Sequence, residues 1–395
     1  MDFCECQSIT MKKLTNPLKL FIPVLISVSM LSACNTAANK TAGTDTIKTS
    51  GYHTNKPSSK SNSKANVAHK ITYLSQPLIG SIFTADPSAH VFNGKIYIYP
   101  SHDINAGIPE NDNGDHFAMR DYHILSLDSI GGKVTDNGIA LDIKDIPWAG
   151  RQLWAPDVAF KKGVYYLYFP VKDKKDVFHI GVATARTPIG PFKAEPIPIK
   201  GSYSIDPAVF TDTDGKTYMY FGGIWGGQLQ RWVNGKYDNN GSKTDSKQDN
   251  APSINCRVAE LTPDMKNIEG TVKEAVIIDS LGKPLLTKDH DRRYFEGSWM
   301  HKFQGKYYFT YSTGDTHFLC YAIGTNPLGP FTYKGAFMQP VQGWTTHHSI
   351  IEIKGKWYIF YHDTQLSGKT YLRNVKVTEL FHNANGTIKM INTFK

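Results

Sequence analysis

EGSWMHKFQGKYYFTYSTGD, residues 296–315, reads as two short strands joined through a Gly305-Lys306 turn, with Glu296 at the head of the first. Gly supplies the positive φ that a tight hairpin needs. The second strand, with Tyr, Phe and Thr, alternates with the period of two expected of a strand. Glu296 stands between Phe295 and Gly297, neighbours that hydrate a carboxylate poorly.

Four further stretches follow the same plan: DPSAHVFNGKIYIYPSHD from Asp86, APDVAFKKGVYYLYFPVKD from Ala155, DPAVFTDTDGKTYMYFGG from Asp206 and HHSIIEIKGKWYIFYHD from His347. Their turn glycines are Gly94, Gly163, Gly215 and Gly355, beside Gly305 of the first. Further short strands follow the hairpins, such as FHIGVATAR from Phe178 and FLCYAIGTN from Phe318. Both lead into a shared corner, TPIGPFKAE from Thr187 and NPLGPFTYK from Asn326. Five such units after Ile71 predict an all-β chain folded as a five-bladed β-propeller. A long β-sandwich would not explain a hairpin repeated with a fixed turn. High Tyr, Phe, Gly and Pro content agrees with β-structure rich in turns.

Counting back from each turn glycine finds an equivalent slot. Asp86 lies eight residues before Gly94, Asp206 nine before Gly215, Glu296 nine before Gly305 and His347 eight before Gly355. In the second unit Trp154 lies nine before Gly163, and Asp157 six. The first strand of a propeller blade lines the central axis, so these residues are expected to meet in one funnel. Three carboxylates gathered in a partly dry pocket raise one another's pKa values, an arrangement that suits acid–base chemistry.

ADPSA, LWAPDVAF, IDPAVF, FEGSW and TTHHSI, in that order, resemble glycoside hydrolase family 43, and the likeness runs from about Gln76 to Ile391. The resemblance implies an inverting glycosidase for β-xylosides or α-L-arabinofuranosides of plant cell walls. It implies Asp86 as general base, Glu296 as general acid, and Asp206 as the group that tunes and orients the acid. Arg373 in TYLRNVKV resembles the family's arginine that contacts substrate hydroxyls. His347 would bind a metal ion or water cluster on the axis, calcium where a metal is present, with no cofactor required for the chemistry. Inversion needs two carboxyl groups roughly 6.5–9.5 Å apart, with a water between base and sugar. Trp154 is expected to stack on the sugar, or else to be a core tryptophan. Trp225 and Gln228, in the Gly-rich GGIWGGQLQRW loop, are expected at the pocket rim. A β-xylosidase is the first expectation and an α-L-arabinofuranosidase the second. A non-catalytic sugar-binding scaffold would predict loss of a carboxylate, and none is lost.

The amino-terminal region reads differently. Lys12 and Lys13, an apolar run from Leu18 to Leu31, and Leu31-Ser32-Ala33-Cys34 predict a lipoprotein signal over residues 1–33, with Met11 as the true start. Cys34 would carry lipid. Residues 34–70 have almost no large apolar side chains and predict a flexible tether to a 71–395 catalytic domain. The tether's six Lys against one Asp account for more than half of the net charge of +9, so the charge does not predict a nucleic-acid partner. The expected location is the bacterial envelope, lipid-anchored, and the outer membrane if the cell is Gram-negative. Only Cys256 and Cys320 remain in the exported body, too few for a disulfide framework.

Overall fold

The computed structural model describes residues 71–395, apart from 246, 247, 345 and 346. The signal segment, Cys34 and the tether therefore lie outside the described residues. The strands group into five blades around an axis. Blade one contains β1 (Phe83–Phe92), β2 (Lys95–Asp103), β3 (Asp121–Leu127) and β4 (Thr135–Asp142), paired in that order. Blade two contains β5 (Ala149–Leu153), β6 (Asp157–Lys161), β7 (Val164–Asp173), β8 (Phe178–Ala185) and β9 (Lys193–Ala194). Its inner edge is broken, because β6 pairs with the first half of β7 and β5 with the second half.

Blade three contains β10 (Ala208–Thr211) and β11 (Thr217–Phe221), an inserted ribbon of β12 (Trp232–Val233) and β13 (Lys236–Tyr237), then β14 (Cys256–Leu261) and β15 (Ile268–Ala275). Blade four contains β16 (Ile277–Ile278), β17 (Glu296–Phe303), β18 (Lys306–Ser312), β19 (Leu319–Gly324) and β20 (Phe331–Met338). Blade five contains β21 (His348–Ile353), β22 (Lys356–Asp363) and β23 (Asn374–Leu380).

The repeated hairpin is a type I′ turn in four blades. Both central residues have positive φ: Asn93 and Gly94, Lys162 and Gly163, Gln304 and Gly305, Lys354 and Gly355. That twist matches the flanking strands. In blade three Thr211 pairs with Thr217 across a longer loop that ends with Gly215 and Lys216. The middle strands depart from simple alternation. Thr217–Phe221 of β11 is buried throughout, because a middle strand is covered on both faces by neighbouring blades. Apolar clusters fill the gaps between blades. Tyr99, Ile124, Leu167 and Phe169 join blades one and two, and Ile96, Leu125 and Phe360 join blades one and five.

The two Gly-Pro-Phe corners dock alike. The Phe192 N–H donates to Ala140 O and the Phe331 N–H to Val276 O, each at 2.8 Å, and both rings are buried. The ring closes through the start of the described chain. Leu74 N–H donates to Thr393 O, Leu78 N–H to Val375 O and Thr84 N–H to Arg373 O. Cys256 and Cys320 are buried free thiols; burial pushes them up to about 11 and about 12.

Candidate active site

A cavity of about 590 Å³ opens where the inner strands of the blades converge. Asp86, Asp206, Glu296, His347 and Arg373 all line it, and each is nearly buried.

Backbone irregularity aims the carboxylates. The β1–β2 register shifts between Ala85 and Ser88, and the β17–β18 register between Glu296 and Trp299. Such bulges re-aim side chains beside functional sites. Asp86 (φ 48), Asp206 (φ 56) and Gly297 (φ 64) share the left-handed conformation at this point. The expected single slot is thus two adjacent positions. Asp86, Asp206 and Gly297 occupy one of them, and Glu296 stands one residue earlier in its strand. Both positions still open onto the same cavity.

Asp86 is held as an anion. Arg373 Nη1 donates to Oδ1 at 2.9 Å and Ser101 Oγ to Oδ2 at 2.8 Å, while the Asp86 N–H donates to His362 Nδ1 at 3.0 Å. Burial alone would raise its pKa. Arg373, His362, His347 and the Ser101 hydrogen bond outweigh that effect and bring it below the ordinary carboxylate value. Arg373 is itself fixed by Asp103, to which Nε, Nη2 and its own N–H donate at 2.8 Å each. Its guanidinium also lies 4.8 Å from the centre of the Phe117 ring. The arginine expected to face sugar hydroxyls therefore lines the cavity while bracing Asp86.

Glu296 is the opposite case. Burial and the nearby charge of Asp86 push it up to about 8, against a downward pull from Arg373. Asp206 is pushed well above its usual range by burial, then by Glu296 and Asp86. The Gly297 N–H, donated to Asp206 Oδ2 at 3.0 Å, works the other way. Asp206 and Glu296 are thus two buried carboxyls that both stand above the ordinary range, with burial the leading cause in each. The pair retains a proton at neutral pH.

His347 Nε2 lies 3.8 Å from Asp206 Oδ2, and neither ring nitrogen has a hydrogen-bond partner among the described residues. Calcium favours six to eight oxygen ligands. One orphaned imidazole fits only an ion that keeps most of its water. His348 turns away and bonds Thr310 Oγ1 at 2.7 Å. Asp157 does not join the cavity: it accepts from Ser88, from the Val158 and Val209 N–H groups and, at 2.7 Å, bonds His90. It links blades one, two and three.

Trp154 occupies the break between β5 and β6 and lines the cavity, with its indole N–H donating to Phe117 O at 2.7 Å. Trp225 also lines it and stacks on Trp344 with ring centres 5.9 Å apart. Gln228 departs from its expected place at the rim. It is buried, its Oε1 accepts from Phe178 N–H and its Nε2 donates to Asp176 O, each at 2.9 Å. Its left-handed backbone turns the side chain toward blade two.

Sequence reasoning missed Ser101, Asp103, His362, Phe117 and Trp344. The first two could have been found, since alternate residues of β2 face the same side as the end of the strand meets Asp86.

Residues 76–388 match the profile of the glycosyl hydrolases family 43. The chain belongs to that family. Among family 43 relatives, a "Xylosidase/arabinosidase" of Bacteroides ovatus is 56% identical over 313 residues, covering 79% of this chain and 95% of that protein. A "Beta-xylosidase" of Xylanibacter ruminicola is 52% identical over 314 residues, covering 79% and 97%. A solved family 43 beta-xylosidase/alpha-arabinofuranosidase from a compost microbial metagenome, in complex with xylotriose and calcium-free, is 65% identical. It superposes with a TM-score of 0.80 over 82% of this chain and 98% of that one. The chain is therefore a five-bladed glycoside hydrolase.

Proposed function

We propose that this enzyme releases terminal β-D-xylosyl residues from xylo-oligosaccharides or xylan by single displacement with inversion. The observation that carries the reading is the contrast within one cavity between Asp86, held ionised, and Glu296, raised to about 8. Two carboxyl groups pushed apart in this way define a base and an acid. Asp86 takes a proton from a water that attacks the anomeric carbon. Glu296 protonates the leaving glycosidic oxygen. Asp206 orients Glu296 through the Gly297 N–H and supplies the neighbouring charge. Arg373 keeps Asp86 ionised and presents its cavity-facing edge to the sugar. Trp154 and Trp225 offer aromatic faces to the pyranose rings. His347 would be the single protein ligand of a hydrated calcium ion, whose positive charge would favour the Asp206 anion.

The names of the relatives support xyloside cleavage, and the double name of one of them supports α-L-arabinofuranoside cleavage as a second reading. Nitrophenyl β-D-xyloside and α-L-arabinofuranoside assayed side by side discriminate the two. Proton NMR of the first product should show the inverted anomer; a retained anomer would make Asp86 a nucleophile and sink the assignment. We further propose export and lipid anchoring through Cys34, on the basis of the signal-like composition of residues 11–34. Cys34→Ser should release active protein from membranes, and a variant that still pellets with them would refute the anchor.

A further inference from the structure

Blade one carries a cluster of imidazoles and carboxylates that the proposed reaction does not use. His102 Nδ1 on β2 lies 2.6 Å from Asp121 Oδ1 on β3. His123, two residues further along β3, brings Nε2 to 4.0 Å from that same oxygen. Its other nitrogen, Nδ1, is 3.0 Å from both carboxylate oxygens of Asp136 on β4. Asp136 is steadied in turn by the Gly138 N–H at 2.9 Å. The two imidazole rings are 4.6 Å apart, and all four side chains are largely but not fully buried.

We infer that His102, Asp121 and His123 form a binding site for a divalent transition metal of the zinc type. One donor atom from each of the three lies within 4.8 Å of the other two. Two imidazole nitrogens and a carboxylate oxygen form a zinc donor set that leaves a fourth position to water. Calcium and magnesium, which take oxygen ligands, are poorly matched. Asp136 is placed as an outer partner. By holding His123 Nδ1 it fixes the tautomer that leaves the Nε2 lone pair facing Asp121, the arrangement that supports metal-ligating histidines. Tetrahedral zinc with bonds of about 2.0–2.1 Å needs donors about 3.3 Å apart, so His123 Nε2, 4.0 Å from Asp121 Oδ1, has to close on it and His102 Nδ1, 2.6 Å away, has to open. The proton shared by His102 Nδ1 and Asp121 leaves to solvent as the metal enters.

The location gives the site a structural consequence. Backbone pairing of β2 with β3 runs from Ile96 to Ile98, and Pro100, two residues on, has no N–H to continue it. Past that point the His102–Asp121 contact joins the strands. Along β2 the side chains alternate, so Ser101 and Asp103 face away from His102. Those two residues hold Asp86 and Arg373. A bound ion would brace the strand segment that supports the base.

The test uses the full chain without a histidine tag, stripped with chelator and dialysed against zinc or cobalt(II). Wild type should retain one equivalent of zinc that the His102→Gln/His123→Gln double variant lacks. Cobalt should give the intense visible absorption of a tetrahedral site, lost in the double variant. Zinc should raise the Tm of wild type only. His347→Ala should keep this equivalent, which separates it from any ion at the axis. Equal zinc content in wild type and double variant, or a weak spectrum typical of hydrated cobalt, would overturn the site. Should the double variant fail to fold, Asp136→Asn serves instead. It spares all three ligands and should weaken zinc binding roughly 10–100-fold; unchanged affinity would count against the proposal.

Discussion

Asp206 Oδ2 accepts the N–H of Gly297 at 3.0 Å, so a carboxylate on blade three grips the peptide that directly follows Glu296 on blade four. The same contact that orients Glu296 brings a second buried carboxyl to it; burial leads both upward shifts, and the charge of Glu296 adds to the shift of Asp206. Wild-type kcat/KM should therefore fall on the alkaline side around pH 8, as Glu296 loses its proton. Asp206→Asn keeps a residue that tolerates the left-handed backbone. It removes the neighbouring charge, so Glu296 releases its proton more readily and the alkaline limb should move to lower pH, with reduced kcat. A pH–rate profile that shifts upward would contradict the pairing.

Substrates with different leaving groups separate the two principal roles. Glu296→Ala should lose roughly 10²–10⁴-fold on a natural disaccharide and far less on an aryl glycoside with a good leaving group. Asp86→Asn should lose similarly on both, because water must be activated whatever departs. Parallel steady-state kinetics on the two substrates check this; equal losses for Glu296→Ala would reverse the assignment.

Removing Arg373 exposes the electrostatic support of the base. Arg373→Met leaves Asp86 and Asp103 buried without their cation, which should destabilise the fold by roughly 3–5 kcal/mol. Arg373 lowers the Asp86 pKa. In its absence Asp86 should protonate at higher pH, bringing the acid limb of the activity profile upward. Urea unfolding and a pH–rate profile on the same preparation read both effects.

Glu296 should burden stability in alkaline solution. Its pKa is about 8 folded against 4.5 unperturbed. A raised pKa gives stability that is complete below the unfolded value and is lost as pH rises through the folded one. Glu296→Gln lacks this loss. It should match wild type near pH 4.5 and exceed it by a few kcal/mol above pH 8, on the order set by that shift. Denaturation midpoints at the two pH values provide the check, and a variant less stable than wild type at alkaline pH would refute it.

Four of the five hairpins were legible because a type I′ turn demands Gly at a fixed place, and glycines 94, 163, 305 and 355 hold it; in blade three Gly215 marks a longer loop. The convergence of Asp86, Asp206, Glu296 and His347 on one cavity was legible by counting from those turns. The one-residue offset of Glu296 was hidden, because it depends on a bulge whose left-handed residue is Asp in two blades and Gly in the third. Gln228 was misread because a loop of short 3-10 turns has no period to set side-chain direction. The Asp103–Arg373 clamp was invisible for another reason. Its members lie 270 residues apart, and nothing local marks them as partners.

Asp86 and the guanidinium that keeps it charged are separated by 287 residues, one in the first blade and one beside the start of the last strand. The general base therefore has no working environment until the final blade has docked beside the first. A chain still emerging from the ribosome holds all three carboxylates well before Arg373 is made, yet remains inert. Cleavage just ahead of Arg373 should silence the enzyme with Asp86, Asp206 and Glu296 all still in the chain.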